Sequence, residues 1–230
     1  MFNVQHVTGF RNPRQIIAEN ATLTAAFRHV LTYNSSQLAP YHNTWHMMCV
    51  LKYVDYIIRM EKSAGHYAPE DELDETALML AALFHDINHS AGKLADDYNV
   101  ENAKVEFKNF LDYEDYAKAG DDINPGWMKN RVYALLDATQ YPYVMPHSEL
   151  THDQKIIRDA DMMQAYEPNM FFHLVLGLSA ESGKPIIKVL EQNVKFHADL
   201  VMCTRTGAAF RDAHRPMLID EFNRYAELLS

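Results

Sequence analysis

Thiols are scarce in this chain: its 230 residues include two cysteines, Cys49 and Cys203. They lie far apart and form no Cys-x-x-Cys pair, which argues against a disulfide framework or a thiolate metal site and fits a reducing, cytoplasmic setting. Positive charge is short as well. Lys and Arg number 21 against 31 Asp and Glu, for a formal net charge of −10. A nucleic-acid polymer is held through several phosphate contacts, each needing a cation, so neither polymeric nucleic acid nor an anionic membrane is an expected partner. A small anionic molecule stays within reach, because bound divalent ions would dominate the field of their own site. Long apolar stretches are missing too: no uninterrupted run reaches about 18 residues, the length of a membrane span. The opening MFNVQHVTGFRNPRQ shows no basic-then-apolar leader, so a secretory signal is not expected.

What the chain does have is helical periodicity. Apolar residues recur at i, i+3 and i+4 over most of its length, and sustained strand-type alternation is nearly absent. The expected fold class is therefore all-α, a bundle of about nine helices. The spacing predicts helices over roughly 13–33, 43–62, 72–89, 98–112, 127–139, 151–166, 169–180, 185–204 and 209–228. Breakers such as Pro40, Pro69, Gly92, Pro125-Gly126, Pro142, Gly183 and Pro185 fall between them. The acidic stretch 112–126 reads as a loop insertion, and no repeat or Gly/Ser linker interrupts the pattern. One domain over residues 1–230 is the expectation, with self-association left open.

Three segments carry chemistry. Tyr41-His-Asn-Thr-Trp-His46 follows Pro40 and is expected to open a helix, placing His42 and His46 one turn apart on one face. In Ala77-Leu-Met-Leu-Ala-Ala-Leu-Phe-His-Asp86, an apolar helix ends in adjacent His85 and Asp86, followed by Ile87-Asn-His89. Burying a carboxylate and an imidazole there costs several kcal/mol unless each is paired or bound to a cation. A metal meets that need; a helix end that merely reaches solvent is the alternative. Ile156-Ile-Arg-Asp-Ala-Asp-Met-Met163 adds Asp161, expected to face inward, and Asp159, which points elsewhere and is expected to be a solvated surface charge.

These residues resemble the HD-domain metal-dependent phosphohydrolases, helical bundles that set a His, an adjacent His-Asp pair and a distant Asp around divalent metal. More narrowly, YHNTWH, LAALFHDINHSAG, Tyr98-Asn-Val-Glu-Asn-Ala103 and Leu136-Asp-Ala-Thr139 resemble segments of class I cyclic-nucleotide phosphodiesterases, in the same order, over residues 41–165. The resemblance implies that His46, His85, Asp86 and Asp161 hold a first divalent ion and that Asp86 bridges to a second. It makes His42 the proton donor to the leaving oxygen, and His89 and Glu101 groups that orient the ligands and the attacking water. Donors of this kind suit Zn, Mn, Fe or Ni at the first position and Mg or Mn at the second. The family's nucleotide-selecting glutamine has no match in the nearest echo of its segment, Thr206-Gly-Ala-Ala-Phe-Arg-Asp212, where Gly207 stands instead.

The function so implied is hydrolysis of a phosphoester bond in a small nucleotide, cyclic or not, by a water that the metals activate. An inactive metal-binding sensor or interaction module is the rival of another class, and an iron-dependent oxygenase on a similar scaffold is a third. His42 argues against the sensor, since binding alone needs no proton donor. Tyr141 to Met145 and Met162 to Met170 are candidates for an apolar wall against the base. His147, His152, Lys93, Arg158 and Arg205 are candidates to meet a phosphate, with a packing or solvated role as the plainer alternative for each.

Overall fold

The all-helical expectation holds. The computed structural model describes residues 9–67, 72–112, 124–167 and 171–229, and among them there are ten α-helices and no strand. Asparagine starts several of them. Asn12 caps α1 (Pro13–Ala18), with Pro13 in the first turn, and Asn20 caps α2 (Ala21–Tyr33) by accepting from the Leu23 N–H. The single helix expected over 13–33 is thus two, because the Asn20 side chain competes for the backbone N–H groups that a continuous helix would use. Asn43 caps α3 (Thr44–Ser63) in the same way, accepting from the His46 N–H at 3.1 Å. His42 therefore precedes the helix instead of riding on its first turn, which corrects the expectation of a shared helical face.

The apolar helix α4 (Glu72–Phe84) stops one residue before His85, and residues 85–88 form a turn. Next come α5 (Asp96–Asp112), α6 (Pro125–Thr139) and α7 (His152–Met163), the last started by a reciprocal capping box between Thr151 and Gln154. A 3-10 turn, Gln164–Tyr166, extends α7, and a π-turn, Phe171–Val175, leads into α8 (Leu176–Ser182). Two helices close the chain: α9 (Ile186–Asp199) and α10 (Arg205–Leu229). The acidic 112–126 stretch lies mostly outside the described residues.

Helix α3 packs on α4 and α7, α4 on α6 and α2, and α6 on α7 and α5, while α10 lies against α9, α7 and α3. The core between them is apolar and dense, with Tyr53, Phe84, Phe107, Phe110 and Phe222 all buried. Burial of such side chains is the main favourable term holding the bundle. Two glycines allow helices to approach closely. A Cβ on Gly177 would stand 2.9 Å from the Pro40 carbonyl oxygen, so glycine lets α8 lie against the chain just before His42. A Cβ on Gly207 would collide with the Asp159 carboxylate. Asp159 is accordingly no surface charge. It is buried in the core, accepting from the Cys203 N–H, the Thr204 N–H and the Thr204 hydroxyl, each at 2.7 Å, and so anchors the start of α10.

Candidate metal centre

The start of α3, the turn after α4 and the end of α7 bring His46, His85, Asp86 and Asp161 together. His46 and His85 are only 2% and 3% exposed. Their Nε2 atoms stand 3.2 Å apart. Asp86 Oδ2 lies 3.2 Å from each of them, and Asp161 Oδ1 lies 3.1 Å from His46 Nε2 and 3.6 Å from His85 Nε2. Adjacent donors around an ion held at about 2.0–2.2 Å are about 2.9–3.6 Å apart, so these spacings suit a first-row divalent cation. His46, His85 and Asp86 offer ligand atoms that all lie within 4.8 Å of one another.

The ring orientations support the same reading. His46 Nδ1 donates to the Gln164 side-chain oxygen, and His85 Nδ1 donates to the Ala82 carbonyl at 3.0 Å. With both Nδ1 protons committed, the two Nε2 atoms present lone pairs to each other, an arrangement that needs a cation between them. Without a metal, protons would fill that role. Burial by itself would lower His46, but hydrogen bonds to Asp161 and Asp86 prevail and raise it to about 9. His85 rises well above its ordinary value through Asp86 and Asp161, again against its burial. Asp161 is lowered to about 2, because hydrogen bonds from His46 and His85 outweigh the burial that would raise it. Asp86 falls well below its ordinary value in the same way, against burial and through His85 and His46. Two carboxylates and two neutral imidazoles leave two negative charges, the number that one divalent ion balances.

His42 stands beside this centre, its ring 6.1 Å from that of His46 and stacked on His89 at 3.7 Å. Its Nδ1 is 2.5 Å from Glu181 Oε2, while Glu181 Oε1 accepts from the Tyr41 and His42 N–H groups at 2.8 and 2.9 Å. Burial would raise Glu181, but these bonds from His42 and Tyr41 lower it, so the carboxylate stays ionised. Asp86, Asp96, Asn99, Thr139 and Asp161 also line a hollow of about 60 Å³ at the centre. Carboxylate and hydroxyl oxygens there are donor types that hold hard cations. A larger hollow of about 400 Å³ opens from Asp161 and Tyr41 and is walled by residues that include Tyr141, Met162, Phe196 and His197.

Several expected residues take other places. Glu101 is exposed on α5 and pairs with Lys104 at 2.7 Å, turned to the outside of the bundle. His89 does lie at the site, with Nε2 3.7 Å from Asp96. Its burial opposes a rise that the Asp96 and Asp86 carboxylates nonetheless produce. His152 stacks on Tyr67, and Arg205 reaches His66. Arg158 is buried and holds the loop after α6 by donating to the Ala138 and Met145 carbonyls, both at 3.0 Å. Gly207 packs on Asp159 rather than lining the larger hollow, whose glutamine is Gln192. Sequence reasoning missed Glu181 and Gln164. Each continues an apolar stripe at helical spacing, Leu174, Leu178, Glu181 and Ile156, Ala160, Gln164, which is a signal of burial for a polar residue. No family model matches this chain, and no curated protein matches it. No helix among the described residues is long and apolar enough to cross a membrane.

Proposed function

We propose that the protein is a metal-dependent phosphohydrolase acting on a phosphoester of a small nucleotide. The observation that carries this reading is a His46–His85–Asp86–Asp161 cluster with a carboxylate-held histidine beside it, at the mouth of an apolar hollow. A divalent ion held by the cluster would polarise phosphoryl oxygens and make water a better nucleophile. The chain's own residues supply the rest. Gln164 and the Ala82 carbonyl keep the two imidazoles aimed at the centre. Glu181 accepts the Nδ1–H of His42, so the proton that an imidazolium at His42 would deliver is the one on Nε2. As the water oxygen bonds to phosphorus and the ester P–O bond breaks, that proton passes to the departing alkoxide, and the proton shed by the water returns through solvent to His42. Tyr141, Met162 and Phe196 offer the base a dry wall.

The resemblance to HD-domain phosphohydrolases agrees with this division of roles. The test is chromatographic detection of hydrolysis products formed by the purified chain in Mn²⁺ from nucleoside mono- and triphosphates, 3′,5′-cyclic AMP and GMP, and a single-stranded oligonucleotide. Turnover of a small nucleotide, abolished in Asp161→Asn, is the expected result. Tight metal uptake with no turnover of any substrate would instead make the protein a metal-binding sensor. Preferential cleavage of the oligonucleotide would overturn the substrate assignment.

A further inference from the structure

A second hollow lies beyond the first. It measures about 560 Å³ and is bordered by Tyr143, Lys195, Asp199 and Val201, and it shares Tyr141, Gln192 and Phe196 with the hollow at the metal centre. Each is of a size that takes a small-molecule moiety. The shared wall is aromatic: Tyr141 meets Phe196 edge to face at 5.7 Å and Tyr143 at 5.6 Å. Tyr141 is 49% exposed, yet its loop is tied down. Its N–H donates to Asp96 Oδ2 at 2.6 Å, and buried Arg158 both clasps the Ala138 and Met145 carbonyls and lies 4.0 Å over the Tyr143 ring. A half-exposed aromatic ring fixed from behind is a stacking platform whose ordering cost has already been met in folding.

We infer that the substrate has two ring-bearing parts. The reading rests on the function proposed above: the phosphate at the metals leads to a first nucleoside in the nearer hollow, and a second heterocycle stacks beyond the Tyr141–Phe196 rib. Lys195 is the Lys or Arg on the second hollow's border among the described residues, and it suits an anionic link between the two parts. Asp199, also on that border, suits a sugar hydroxyl. The ligand class is a dinucleotide, or a nucleotide extended by a comparable group. A mononucleotide would leave the second hollow empty.

The full chain in Ca²⁺ is titrated by calorimetry with AMP and with the linear dinucleotide pApA, while release of hydrolysis products in Mn²⁺ is followed separately by chromatography. The dinucleotide is expected to bind about tenfold more tightly or better, the usual effect of one added base stack. Lys195→Glu and Val201→Trp, both at exposed positions, should each remove most of that advantage and leave AMP binding unchanged. Equal binding of the two ligands, or an advantage that survives both substitutions, overturns the inference. A binding advantage without hydrolysis of either ligand sinks the hydrolase reading and leaves the two-part site standing. Release from AMP without a binding advantage does the reverse.

Discussion

At His42, one nitrogen is committed to Glu181 and the other is left to act. Replacing His42 by Ala removes the proposed proton donor without touching a proposed metal ligand. Turnover of an alkyl phosphoester should fall by ~10² to 10⁴. A nitrophenyl ester, whose leaving group needs little protonation, should lose far less, and an equal loss on both substrates would show that His42 binds or packs instead. Glu181→Gln keeps the shape but removes the charge that orients the ring. Its loss should appear in kcat with little change in KM, and the kcat pH profile should move, which a merely structural role would not produce. Buried His197 gives a different readout, because its Nδ1 has no hydrogen-bond partner. Burial, with Arg215 nearby, lowers it to about 4 from the ordinary 6.5. The unfolded chain therefore takes up a proton between those values that the folded chain refuses. Stability fully present above pH 6.5 is lost as pH falls toward 4, by up to about 3 kcal/mol. Denaturant midpoints at pH 7 and pH 4.5 should differ less in His197→Asn than in the parent.

At the scale of elements, the site depends on where helices stop and how closely they approach. Gly177 lets α8 lie against Pro40 and Tyr41, which carries Glu181 to His42. Gly177→Ala should push α8 away, lower kcat through the loosened pair, and cost ~1–3 kcal/mol of stability as overpacking does. An unchanged kcat would mean that the helix adjusts without moving Glu181. The turn after α4 is held by a second set of contacts. The Asn88 N–H donates to Asn34 Oδ1 at 3.0 Å, and Ser35 donates to Asn88 Oδ1 at 2.7 Å, with Asn88 at φ 58°, a conformation asparagine tolerates. Helix type was legible in the sequence because the apolar stripes are long. The break at Asn20 and the cap at Asn43 that leaves His42 outside α3 were not, because a capping side chain leaves the stripe unbroken. His85, Asp86 and Asp161 were legible as polar residues on or beside apolar stripes and His46 by its spacing from His42, while the grouping of the four came from the family resemblance. Asp159 misled because two acids two positions apart suggested one inside and one outside, whereas the loop before α10 supplies N–H donors that bury Asp159 while Asp161 faces the two histidines.

For the whole molecule, the net charge of −10 sets a limit that the local site then reverses. An acidic surface repels an anionic substrate, so divalent ions are what would make the centre attractive to it. The core holds the centre at a cost that other contacts offset. Phe107 is fully buried beside Phe84 and Phe110, and Phe107→Ala should lower stability by ~3–5 kcal/mol in denaturant melts while leaving metal affinity per folded chain unchanged. The central claim is that the bundle closes around a divalent cation held by His46, His85, Asp86 and Asp161. The most direct test is metal content per chain, measured by mass spectrometry after Mn²⁺ or Zn²⁺ loading and exhaustive dialysis, for the parent and for folded Asp86→Ala. The account predicts at least one ion per parent chain and a large loss in the variant. A parent that retains no ion, or a variant that retains as much as the parent, would contradict it.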